Sequence, residues 1–236
     1  MHIFYTPDIL KSNELPPEEV QHCTRVLRLK EGDKIRLTNG QGYFFEAEIT
    51  TISSKHCHVQ VLEKIKQDLS WQNQIHIAMA PTKNMDRNEW FAEKVTEIGV
   101  NQITFLNCRY SERKEIKSER IEKILIAAIK QSQKATLPEL HGIIDFKHLI
   151  SKDFNGQKFI AHCHDEKKIL LSHAYKKGEN TIILIGPEGD FSKEEVALAI
   201  KHGFQPVSLG ESRLRTETAA LTACQTIHVI NENNSP

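Results

Sequence analysis

The stretch Thr181-Ile-Ile-Leu-Ile185-Gly-Pro-Glu-Gly-Asp190-Phe-Ser192 decides the fold. Its first five residues are β-branched or aliphatic throughout, the pattern of a strand buried on both faces. Gly186-Pro187-Glu188-Gly189 then breaks the strand into a tight loop. Ser192, with Glu195 three residues on, has the spacing of a capping box, so a helix starts there. The unit repeats further along. The helix is expected to end near Gly203, Pro206 to Leu209 reads as a short strand, and Gly210-Glu211-Ser212-Arg213-Leu214-Arg215 is a second irregular loop. Thr216 opens a last helix, with Ala220, Ala223, Ile227 and Ile230 as its apolar stripe. Two glycine-bearing loops therefore leave the carboxyl ends of two strands, the edge at which open α/β sheets bind ligands. Gly186, Gly189 and Gly210 lack side chains, so backbone groups there can approach a flat heteroaromatic ring. The alternative is that these glycines only close tight turns.

Upstream, Ile75–Ala80, Ile103–Leu106 and Phe159–Ala161 read as further strands. Asp86 to Glu89 has capping-box spacing, followed by Phe91, Val95 and Ile98 on one face and Gly99 as a stop. Ile121, Leu125 and Ala128 mark another helix, with Pro138 beyond it. Strands alternating with helices predict a mainly parallel α/β sheet. Residues 1 to about 65 differ. Ile35 and Leu37 alternate with Lys34 and Arg36, and Asn39-Gly40 is a hairpin signal. Tyr43, Phe45, Ala47 and Ile49 then share one face, and Cys57, Val59 and Val61 alternate with His56, His58 and Gln60. Several short strands in so little chain predict a small barrel. The expected division is a β domain over 1–70 and an α/β domain over 71–236.

The chain has 236 residues, with 31 Lys plus Arg against 31 Asp plus Glu. A protein that coats nucleic acid indiscriminately is strongly basic, so any such contact here must be local. Arg25, Arg28, Lys30, Lys34 and Arg36 cluster in the β-rich part. Residues 83–134 hold eleven basic and eight acidic side chains. A solvated charged face is the alternative for each. The longest aliphatic run is six residues, Ile124 to Ile129, against about 20 for a membrane span, and the N-terminus does not read as a secretory signal. Five widely spaced cysteines without C-x-x-C argue for free thiols and a cytoplasmic location. His56-Cys57-His58 and His162-Cys163-His164 do not predict four converging ligands, so no metal is expected. There is no P-loop, and Gly40-Gln41-Gly42 lies in the hairpin rather than before a helix.

Ile185 to Ser192, followed by Ser208-Leu-Gly-Glu-Ser-Arg-Leu-Arg-Thr-Glu-Thr-Ala-Ala-Leu221, closely resembles the C-terminal signature of the RsmE family of ribosomal RNA small-subunit methyltransferases, within the SPOUT (α/β-knot) superfamily. His22 to Asp33, Lys83 to Gly99 with Glu93-Lys-Val-Thr-Glu-Ile-Gly99, and Gln131 to Lys134 with Leu137-Pro-Glu139 resemble further family segments, in the family's order. Asp190 stands where members usually have glycine, and Lys134 where they have arginine. The resemblance implies a trefoil-knotted methyltransferase domain preceded by a PUA-like barrel, and a homodimer. It implies methyl transfer from S-adenosylmethionine to N3 of one uridine in 16S rRNA within the small ribosomal subunit or its precursor. His162, Gly186, Glu188, Gly189, Leu209, Gly210 and Leu214 are then expected around the cofactor. Arg215 is expected to stabilise charge on the base, with Glu217 as base or as its orienting partner. Glu217 in a first helical turn is also explained by the helix dipole alone, and His162 by a backbone bond at a strand end. Arg25, Arg28, Lys30, Arg36, Lys83 and Lys134 are candidate RNA contacts. Two rival readings are a knotted enzyme acting on another rRNA or tRNA base, and a non-catalytic RNA-binding ribosome-assembly module.

Overall fold

The computed structural model describes residues 2–69 and 71–232. The chain divides into two compact units, Met1–Leu69 with Ile126–Leu137, and Ser70–Leu125 with Pro138–Pro236.

The first unit is built on β1 (Ile3–Tyr5), β2 (Lys34–Thr38), β3 (Tyr43–Ile52) and β4 (Cys57–Lys66), hydrogen-bonded in that order. β1 runs parallel to β2, and the other pairs are antiparallel. The expected alternation is present. Ile35, Leu37, Phe45, Ala47, Ile49, Cys57 and Val59 enter one core with Phe4. Two register shifts in the β3–β4 pair, at Glu46/Ala47 and Ile49/Thr51, bend this long hairpin. Among the described residues the named strands end at β4, and pairing continues past it through an antiparallel bridge between Glu14 and His58, as expected of a small barrel. Beyond β4, Leu15 N–H donates to Cys57 O and Val59 N–H to Asn13 O. Between β1 and β2 lie a short helix α1 (Pro17–Gln21) and a six-residue π-helical turn, His22–Leu27.

Two expectations change here. The β2–β3 connection spans residues 39–42, with positive φ at Gly40 and Gly42 but not at Asn39. Asn39 instead accepts the Gln41 N–H on its side-chain oxygen, so the two-residue Asn-Gly turn is replaced by an Asx turn. Residues 126–137 group with the first unit rather than with the α/β domain. Lys130 Nζ reaches both carboxylate oxygens of the buried Glu19, at 2.6 and 2.9 Å. Thr38 Oγ1 donates to Ala135 O, and Leu137 N–H to Gly40 O.

In the second unit β5 (Ile75–Met79), β6 (Gln102–Asn107), β7 (Glu139–Asp145), β8 (Gln157–Ala161), β9 (Ile169–Leu170), β10 (Thr181–Ile185) and β11 (Gln205–Ser208) form one sheet. Its order is β7-β6-β5-β10-β8-β11-β9, and every recorded pair is parallel. β10 lies between β5 and β8 with all five residues buried, which explains its unbroken apolar sequence. The helices are α2 (Met85–Ile98), α3 (Ser118–Gln131), whose residues from Ile126 on group with the first unit, α4 (Phe146–Ile150), α5 (Leu171–Ala174), α6 (Lys193–Lys201) and α7 (Thr216–Glu232). α6 begins with the full Ser192–Glu195 capping box. α2 does not begin at Asp86. Asn84 is its N-cap and accepts the Asp86 N–H, so the helix starts one residue before the expected cap. No helix among the described residues is long and apolar enough to cross a membrane.

Candidate active site

Three loops leave the carboxyl ends of β8, β10 and β11, which are neighbours in the sheet. They line two cavities. The larger, about 620 Å³, is walled by Gly186, Glu188, Leu214, Arg215 and Glu217, with Lys83 from the turn before α2 and Arg87 from its first turn. The second, about 560 Å³, is walled by His162, Gly189, Leu209, Gly210 and Leu214. Cys163, Asp190, Arg213 and Leu214 belong to both, so the cavities abut on one wall. All nine residues expected around the cofactor or the reacting base line one cavity or the other.

The glycines do different things. A Cβ on Gly186 would lie 3.0 Å from the Phe191 ring and 3.1 Å from Phe191 N, so this position is closed by its own loop. Gly210 has φ +132 with nothing within 4 Å of a built Cβ. There the backbone angle, not crowding, requires glycine.

Asp190 occupies the left-handed region at φ 65, which aspartate tolerates better than most residues. Its Oδ2 accepts the Cys163 N–H and its Oδ1 the Phe191 N–H, each at 2.8 Å. The side chain thus fastens the β10–α6 loop to the end of β8. Glu188 makes a similar tie, accepting the Lys83 N–H at 2.9 Å.

His162 corrects one reading. It is only 6 % exposed, and neither ring nitrogen has a partner. A strand-end histidine bonded to backbone is therefore not what is present. Burial holds its pKa below the usual value, and Lys168 adds to this. Buried polar atoms are nearly always paired, so two open nitrogens on a cavity wall mark a place for a polar ligand group or water.

Glu217 is buried and pairs with Arg87 Nη1; no bond from it to Arg215 is recorded among the described residues. Arg215 is exposed, with no side-chain partner recorded among the described residues. Arg87 was not expected at the site. The available signal was a cation in the first turn of α2, where the helix dipole disfavours it and an acidic partner is needed. Lys83 pairs with Glu112 at 3.0 Å. Arg113 donates to Thr82 O at 3.0 Å and to Lys83 O at 2.5 Å, which fixes the strand-to-helix turn beside the cavity.

The remaining candidates lie in the first unit. Arg25, Arg28 and Lys30 are exposed at the end of the π-helical turn, Arg28 with φ 54. Arg36 bonds Glu46 through Nε at 2.6 Å and lies over the Phe44 ring. Lys134 falls in the segment that groups with this unit. Among the described residues no three His, Cys, Asp or Glu side chains converge as metal ligands. His56 is taken by Glu14, and Cys57 is buried in the core.

A parallel sheet with a two-cavity site at three neighbouring loop edges is a ligand-binding α/β unit, and the family matches make its class that of the RNA methyltransferases. Residues 69–228 match the RNA methyltransferase domain family, and residues 15–62 the RNA methyltransferase PUA domain family. Within that class the chain belongs to the ribosomal RNA small subunit methyltransferase E family. It is 32% identical over 235 residues to the member from Buchnera aphidicola, covering 94% of this chain and 92% of that one. A probable rRNA-methyltransferase from Porphyromonas gingivalis superposes with a TM-score of 0.94 at 46% identity, over 98% of each chain. The ribosomal RNA small subunit methyltransferase E of Neisseria gonorrhoeae, solved bound to S-adenosyl methionine, gives 0.86 at 26% identity over 97% of each.

Proposed function

We propose that this chain transfers the methyl group of S-adenosylmethionine to N3 of one uridine in 16S rRNA, in the bacterial cytoplasm. The observation that carries the reading is the pair of abutting cavities, one holding an unpartnered buried histidine and the other rimmed by cations. The cofactor fits the first kind of site. The two open nitrogens of His162 can meet ribose or adenine polar atoms, and Leu209 and Leu214 supply apolar wall for a ring. When bound, the cofactor supplies an electrophilic methyl on a sulfonium, so the chain need not provide a nucleophile of its own.

The chain's residues must then hold the uracil and manage its charge. Loss of the N3 proton spreads negative charge over O2 and O4 of the base. Arg215, exposed at the cavity edge with no recorded internal partner, is available to meet that charge with its guanidinium. Arg87 and Glu217 brace the first turns of α2 and α7 on either side of it. Positioning the nitrogen about 3–3.5 Å from the methyl accounts for much of the expected rate gain. The target base must lie outside its stack to enter the cavity.

The same reading assigns RNA capture to residues 1–70 and chemistry to 71–236. It carries with it the knotted threading of the cofactor loops that the family resemblance implies. It also carries a homodimer, supported by the apolar groove of about 480 Å³ between Ile98, Leu221 and the exposed Val229. A monomer in sedimentation at micromolar concentration removes the dimer.

The test is methyl transfer to small subunits from cells lacking this modification, mapped by mass spectrometry. One new methyl on a uracil is expected. A methyl on another base, or none, overturns the reading. Arg215→Ala should lower turnover by about 100-fold or more while the donor dissociation constant stays within about twofold. Unchanged turnover removes Arg215 from the charge-stabilising role.

A further inference from the structure

Asp190 stands on the wall common to both cavities. Each of its oxygens takes one backbone N–H, from Cys163 and from Phe191, and its own N–H donates to Pro187 O at 2.9 Å. These contacts fix the carboxylate and leave each oxygen with an open lone pair. They do not neutralise it. No ion pair to Asp190 is recorded among the described residues, although Arg213 and Lys168 line the same cavities. In a structure where Arg36, Arg87, Arg109, Arg120 and Lys130 all have carboxylate partners, an uncompensated and rigidly held anion on a ligand wall is conspicuous. The nearest independent sign of a ligand is His162, nine-tenths buried, lining the second cavity with both nitrogens open.

We infer that Asp190 is a specificity-determining residue that makes this site favour the cationic methyl donor over its neutral demethylated product. The inference rests on the cofactor reading above. The donor and the product share adenine, ribose and the amino-acid end. They differ by one methyl and one positive charge, on sulfur. In the transfer uracil N3 gives up its proton to water, the bond from carbon to N3 forms, the bond from carbon to sulfur breaks, and the sulfonium becomes an uncharged thioether that keeps the bonding pair. With the donor in the second cavity and the base in the first, the methyl must cross the wall they share, and a fixed negative charge on that wall attracts the reactant and is indifferent to the product. The consequence is faster exchange of spent for fresh cofactor. The site has this anion because a left-handed backbone angle, open to aspartate, places a carboxylate where two loops are tied together.

The experiment measures binding rather than turnover. Calorimetry on the full chain compares S-adenosylmethionine, S-adenosylhomocysteine and sinefungin, an analogue with an ammonium in place of the sulfonium. Asp190→Asn keeps the size and the tolerance of positive φ but removes the charge. Its amide also disturbs one of the two backbone ties, which should shift all three ligands together. The ratio of affinities is therefore the readout. Expected is a loss of about tenfold for S-adenosylmethionine and sinefungin, equal to about 1.4 kcal/mol, beyond any change for S-adenosylhomocysteine. Asp190→Gly, which removes the side chain at a φ that suits glycine, should lose the same selectivity. Equal shifts for all three ligands in both variants overturn the inference and leave the cofactor reading intact. Absence of binding of any of them to the unmodified chain overturns the cofactor reading, and the inference with it.

Discussion

His76 on β5 is 5 % exposed, and its Nε2 lies 2.8 Å from Thr104 Oγ1 on β6. The ring of His141 on β7 is 6.3 Å away, and Lys152 lines the same small cavity. Burial, then His141, then Lys152 push the His76 pKa down to about 3. The unfolded chain binds a proton here near pH 6.5 while the folded chain does not, so this residue's contribution is intact above about 6.5 and declines as pH falls toward 3. At pH 5 the loss is on the order of 2 kcal/mol, from about 1.4 kcal/mol per unit. Urea unfolding of the native chain and of His76→Gln, at pH 7 and pH 5, tests this. The variant should lose most of the difference between the two pH values; an equal difference would put the acid sensitivity elsewhere. The contrast with His162 is instructive. Both are buried and both line cavities, but His76 has a hydroxyl partner within the sheet and His162 has none.

At the scale of elements, α2 ends where Gly99 takes φ +133. A Cβ there would sit 2.4 Å from Trp71 Cη2 and under 3 Å from two more ring carbons. The ring has little room to move. It packs edge-on against His228, and its Nε1 donates to Asn101 Oδ1 at 3.1 Å. His228 Nε2 in turn lies 2.7 Å from Gly99 O, tying α7 to this turn. Gly99→Ala should therefore cost about 3 kcal/mol, backbone strain plus overpacking. Gly178→Ala, at φ +79 with nothing within 4 Å, should cost about 1 kcal/mol, strain alone. Equal shifts in urea midpoint for the two would refute the steric argument. Gly99 as a stop was legible in the sequence, because a left-handed terminus leaves a glycine. So were β10, the Ser192–Glu195 cap and the α7 stripe, where each local signal agrees with burial. β7 was not. Glu139-Leu-His-Gly-Ile-Ile-Asp145 is half-buried along most of its length and holds a glycine, so it lacks the apolar run of β10. At the site, the loops could be read because glycine and capping chemistry are local. The Arg87–Glu217 pair spans 130 residues, and no local pattern records it.

For the molecule as a whole, zero formal charge means that long-range attraction to RNA is weak, and affinity must come from cations left free of internal partners. The first unit separates two kinds of basic residue. Arg25 and Arg28 project from the π-helical turn, both exposed, and neither has a recorded carboxylate partner among the described residues. Arg36 is committed to Glu46, through Nη2 at 2.5 Å and Nε at 2.6 Å, and stands over an aromatic ring. A phosphate contact by Arg36 would have to break that pair, whereas one by Arg25 or Arg28 only displaces water and counterions. Binding of a small-subunit rRNA fragment, followed from about 50 to about 200 mM salt, should therefore weaken linearly on logarithmic axes. Arg25→Ala with Arg28→Ala should reduce that slope by roughly 1.5, close to one counterion for each lost contact. Arg36→Ala should leave it nearly unchanged. Both variants should keep the affinity for S-adenosylmethionine, because the cavities are formed wholly within the second unit. A slope unaltered by the double substitution would remove the π-helical turn from the RNA interface. A slope that falls with Arg36→Ala instead would mean that Glu46 releases its partner when RNA binds.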